Sequence, residues 1–82
     1  MNINEENIKQ YETADLEFVV ILLYFGVKLL DTKRELTKTI FIFEDTPKLQ
    51  DLKTNYINDS LEVSPRKFLA LLRQTKGVFI HN

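Results

Sequence analysis

Eighty-two residues with 11 Lys+Arg, 12 Asp+Glu, one histidine and no cysteine give a net charge of −1. Without cysteine there is no disulfide scaffold, thiolate metal site or thiol nucleophile, and a length below the ~100–200 residues usual for a domain leaves no room for a second one. A hydrophobic fraction of 44% with 28% balanced charge excludes a disordered polyelectrolyte, but so small a domain hides only about 60% of its unfolded surface and has a thin stability margin.

The charge is unevenly placed. Residues 1–25 carry Glu5, Glu6, Glu12, Asp15 and Glu17 against Lys9, whereas residues 63–82 carry Arg66, Lys67, Arg73 and Lys76 with no acid. One end of the chain is acidic and the other basic. Met1 to Gln10 is polar and acidic, unlike a secretory or transit peptide, and the longest apolar run, Phe18 to Phe25, is far shorter than the ~20 residues of a membrane helix. Cytoplasmic residence is the expectation.

Residues 1–8 read as a polar tail and residues 9–80 as a single α+β domain. Lys9 to Glu12, around Tyr11, has the makings of a short strand. Thr13 offers an N-cap hydroxyl, Asp15 and Glu17 suit a first turn, and Gly26 stands where a C′ glycine would end the helix. The helix so bounded has about 12 residues, near the average, although Val19-Val20-Ile21 alone would favour strand. Val27–Asp31 and Thr37–Glu44 form an antiparallel hairpin, with Thr39-Ile40-Phe41-Ile42-Phe43 the strongest strand signal. Between them Thr32 to Leu36 lacks Asn-Gly or any glycine, so a loop longer than two residues is expected.

Thr46-Pro47 starts the next helix, with a hydroxyl cap and proline at the first position. Leu49, Leu52 and Tyr56 are its apolar stripe, and Asn55, Asn58, Asp59 and Ser60 end it. Ser64-Pro65 repeats the start signal for a third helix with Phe68, Leu69, Leu71 and Leu72 inward. Gly77 would close it, leaving Val78-Phe79-Ile80 as a strand. The element order is (β)-α-β-β-α-α-(β), the hairpin packed against helices, the bracketed strands being the weakest assignments.

The first helix is apolar on every side from Phe18 to Phe25, which requires burial all round. The Thr39–Phe43 strand is apolar on both faces, Ile40 and Ile42 on one and Phe41 and Phe43 on the other. Either the chain sandwiches these elements between its own helices, or one face is an interface with a partner or a second copy, as a dimer, which a marginal core would use. The second alternative places the interface on Val19, Leu22, Tyr24, Phe25, Phe41 and Phe43.

Catalytic chemistry has little to draw on. His81 is penultimate, the carboxylates Asp31, Glu35, Glu44 and Asp45 lack calcium-loop spacing, and two glycines cannot build a phosphate loop. No enzyme, metal or cofactor is expected, and no small-molecule substrate. The basic third helix is the other notable feature. Arg66 and Lys67 stand in its first turn, where the dipole disfavours a cation by roughly 0.3–1 kcal/mol. Arg66, Lys67, Arg73 and Lys76, with Lys33 and Arg34 of the hairpin, are candidate phosphate contacts for nucleic acid.

The run Tyr11-x-Thr13-x-Asp15-Leu16, Gly26 and Leu29-Leu30 resembles a family of short, functionally unassigned proteins of bacteria and their phages. So do Phe41-Ile42-Phe43-Glu44-Asp45-Thr46-Pro47-x-Leu49, Leu52, Tyr56, Val63-x-Pro65, Phe68 and Leu72-Arg73. The resemblance spans residues 11–76, and the glycine-free loop around Lys33–Leu36 is its departure. It implies a self-contained small domain of phage or mobile-element origin and supplies no active-site residues. The resulting expectation is a non-enzymatic interaction module acting through an apolar surface, with nucleic-acid binding as the alternative.

Overall fold

The computed structural model describes residues 9–79. The chain enters the fold as β1 (Gln10–Thr13) and turns at once into α1 (Leu16–Tyr24). Thr13 pairs with Phe41 in the sheet, so its hydroxyl accepts the Asp15 N–H at 3.0 Å and does not cap the helix. The cap is Asp15, whose carboxylate accepts the Phe18 N–H at 3.3 Å. This corrects the expected start at Thr13 and shortens the helix to nine residues. Its other end is as expected: Gly26 adopts φ +83°. The Gly26 and Val27 N–H groups then donate to the Leu23 and Leu22 carbonyls at 3.0 and 2.9 Å, the paired bonds of a Schellman ending.

β2 (Leu29–Glu35) and β3 (Lys38–Glu44) form the hairpin, and β3 is the centre of an antiparallel sheet ordered β1-β3-β2. The turn is two residues, Leu36-Thr37, where a longer loop was expected. Cross-strand pairing runs unbroken from Asp31–Ile42 to Glu35–Lys38, and this ladder outweighs the local turn chemistry. Leu36 is thereby forced to φ +51°, a conformation that costs an L-residue roughly 1–2 kcal/mol.

Phe41 and Phe43 face the helices and are no more than 1% exposed. Ile40 and Ile42 point the other way and are buried too. Lys33 lies opposite Ile40 and Glu12 opposite Ile42, and the Lys33 Nζ meets Glu12 Oε1 at 3.4 Å. With strands ~4.8 Å apart, this pair bridges from β2 to β1 over the central strand, laying its methylenes across the isoleucines.

α2 (Pro47–Ile57) begins as the residues dictate, with Thr46 Oγ1 accepting the Leu49 N–H at 3.2 Å. Leu49 and Leu52 enter the core, and Tyr56 stacks on Phe18 at 5.1 Å between centroids. Asp59, at φ +57°, serves as the left-handed residue of a second Schellman ending. α3 (Pro65–Phe79) runs straight through Gly77, so Val78 and Phe79 are helical and not a strand; Ile80 and His81 lie outside the described residues. Phe79 rests edge-on against Phe41 at 5.5 Å. Phe79 is half-buried there, worth about 1 kcal/mol or more, which offsets the ~1 kcal/mol that a helical glycine costs. α1 is the shared centre: Phe18 to Leu22 are all buried. The fold is α+β.

A candidate protein-binding groove between the first and third helices

Four of the six expected interface side chains are core. Val19, Leu22 and Phe43 are fully enclosed and Phe41 is 1% exposed, because α1 is packed against the sheet, α2 and α3 together. The apolar patch as drawn from the sequence is therefore corrected: these four cannot reach a partner in the folded chain. Tyr24 and Phe25, at the end of α1, stay partly exposed, their rings 5.0 Å apart. Phe25 leans on the core. Tyr24 turns to α3, its hydroxyl accepting the Ser64 N–H at 2.9 Å.

Beside Tyr24 lies an open groove of about 500 Å³, lined by Leu23, Tyr24, Lys67, Ala70, Leu71 and Gln74. The α3 contributions follow helical spacing: Lys67, Leu71 and Gln74 share a stripe, and Ala70 stands next to it. Val78, a turn beyond Gln74, extends that stripe and is exposed. The core side of α3 is a different face, carrying Phe68, Leu72, Thr75 and Phe79; Thr75 is 3% exposed and its hydroxyl donates to the Leu71 carbonyl at 2.8 Å. The groove lining is mixed: Leu23, Leu71, the Tyr24 ring and the small Ala70 supply its apolar part, and Lys67, Gln74 and the Tyr24 hydroxyl its polar part. Sequence reasoning missed Leu23, Ala70, Leu71 and Gln74 as a surface. The available signal was that α3 holds more apolar residues than one face can bury, Leu69 and Val78 being left half-exposed.

Of the six candidate phosphate contacts, the structure separates one from the rest. Lys33 lies on the outer sheet face and is held by Glu12 and, at 3.7 Å, by Glu35. Arg34 is on the opposite, helix-covered side, two residues from Thr32, which pairs with the Phe41 beneath Phe79. Arg66, Lys67, Arg73 and Lys76 are all exposed on α3, and among the described residues the ion pairs are those of Lys33.

Among the described residues no group of three His, Asp or Glu side chains could hold a metal ion. Away from the groove, the Tyr56 hydroxyl has a displaced pKa. Burial, then the Asp15 carboxylate that accepts its hydroxyl at 3.3 Å, then Glu17, push it up to about 12. That arrangement fastens α2 to α1.

Fold and groove together define a small α+β domain with an open cleft between two helices. The chain belongs to the DUF5659 family, a domain of unknown function, whose profile matches residues 8–81. No curated protein and no solved structure matches it. Among the described residues no helix is long and apolar enough to cross a membrane.

Proposed function

We propose that this domain is a non-enzymatic interaction module that receives a protein segment in the groove between α1 and α3, as an accessory protein of a phage or mobile element. The observation that carries the reading is the groove, an accessible apolar floor in a molecule whose α1 and β3 hydrophobics are otherwise spent on the core. The bond from Ser64 to the Tyr24 hydroxyl holds its wall in place before a partner arrives, which lowers the ordering cost of binding. The origin rests on the resemblance in sequence pattern.

A photo-crosslinking residue at position 74, expressed in the native host, is expected to yield a protein adduct of defined mass. Ala70→Arg should abolish the adduct while leaving the melting temperature unchanged, because Ala70 is exposed. Adducts that survive that substitution, or none at all, sink the reading. Nucleic-acid binding is the second reading, favoured by the exposed bases of α3 with Arg34 on the same side of the sheet. It requires a log K slope of about −0.9 per phosphate contacted, and ends if neither duplex nor single strands bind at low salt.

A further inference from the structure

We infer that the occupant of the groove is an acidic amphipathic helix from a protein other than a second copy of this chain, an inference that rests on the groove being the docking face. A cleft between two helices, with no sheet edge beside it, is shaped for a third helix laid along it. The lined part of α3, Lys67 to Gln74, rises about 10 Å, room for an apolar stripe of two turns. The floor of Leu23, Tyr24, Ala70 and Leu71 takes that stripe. Lys67 stands at the groove, and Arg66 and Arg73 lie on the outer side of Ala70, so the flank of the guest that overhangs α3 meets three cations and no acid.

The same charges exclude this chain's own helices as guest. Two α3 helices face to face across the groove would set Arg66, Lys67 and Arg73 of one copy against those of the other, a like-charge juxtaposition that disfavours the pairing. α1 is buried. The outer side of α2 presents Lys48, Gln50, Asp51, Thr54 and Asn55, all exposed and polar, with no apolar stripe to seat. A phosphate backbone would use the cations and leave the apolar floor empty, so the floor favours a peptide over a nucleic acid.

The test titrates the full ¹⁵N-labelled chain with three helical peptides of about four turns. All share one leucine stripe and differ in carrying glutamate, glutamine or lysine on the flanks. The glutamate peptide is expected to perturb the amides of Leu23, Tyr24, Lys67, Ala70 and Leu71 and to bind about tenfold more tightly than the glutamine peptide. The lysine peptide should bind weakest, and Lys67→Glu, which leaves Arg66 and Arg73 against one acid, should shrink the advantage of the glutamate peptide over the glutamine one. Equal binding of the glutamate and glutamine peptides overturns the acidic partner while the groove stands. No perturbation at the groove by any of the three up to about 1 mM overturns both. Perturbation confined to Arg66, Arg73 and Lys76, and reproduced by a short DNA duplex, replaces the helix with a nucleic acid.

Discussion

Leu36 is the residue whose conformation its own chemistry opposes. It sits at φ +51° and is 96% exposed, so it returns no burial for a left-handed backbone that costs roughly 1–2 kcal/mol. Asp59 adopts a similar angle at less cost, since a short carboxylate side chain tolerates the left-handed region. Leu36→Gly relieves the strain but loosens the unfolded chain by about 0.5–1 kcal/mol. The net expectation is a gain of about 0.5–1 kcal/mol, read as a higher denaturant midpoint with an unchanged slope. A lower midpoint would show that Leu36 makes a contact in solution that its exposure denies.

At the scale of elements, the two glycines show how the same residue type divides by context. Gly26 ends α1 because the next two N–H groups turn back onto the helix, which needs its positive φ. Gly77 lies inside α3, and a Cβ placed there meets nothing within 4 Å. Gly77→Ala is therefore expected to stabilise the protein by about 0.5–1 kcal/mol and raise the melting temperature by several degrees, about 4–8 °C per kcal/mol at this size. A fall would mean that the helix breaks at Gly77 in solution. Both glycines read as stops in the sequence, and only packing of Phe79 against Phe41 distinguishes them. The sheet edge follows similar logic. Asp45 N–H bonds the Lys9 carbonyl at 2.9 Å, so the odd residues of β3 bond toward β1 and the even ones toward β2. Thr32, opposite Phe41, must turn its N–H to the free edge, and Asp31 Oδ1 accepts it at 2.8 Å. With Lys33 and Arg34 beside it and the irregularity at Leu30, that edge is guarded against strand pairing.

The whole molecule depends on α1, which touches every other layer, and the Tyr56–Asp15 bond is one of its fastenings. The folded pKa of about 12 exceeds the ordinary 10, so above pH 10 the unfolded chain gives up the Tyr56 proton first. This contribution is complete below pH 10 and is lost as pH rises through about 12. Urea midpoints should fall across that window, less steeply in Tyr56→Phe, and tyrosinate absorbance should show one late-titrating group that the substitution removes. An identical fall in the variant would assign the alkaline loss elsewhere.

The element order from β1 to α3, the Thr46-Pro47 start, the Gly26 stop and the burial of α1 from Phe18 to Leu22 were legible because each follows from local hydrogen bonding or from apolar residues covering every side of a helix; the same expectation fails from Leu23 to Phe25, which stay partly exposed. The turn at Leu36, the passage of α3 through Gly77 and the cap at Asp15 were not, since each is decided by strand pairing or packing that overrides a local preference of about 1 kcal/mol. The site divides in the same way. The sequence by itself determined that α3 is basic and that apolar residues outnumber one core face. Only the tertiary structure decided which of them water still reaches, because burying Val19, Leu22, Phe41 and Phe43 against three layers leaves Leu23, Tyr24, Ala70 and Leu71 as the open floor.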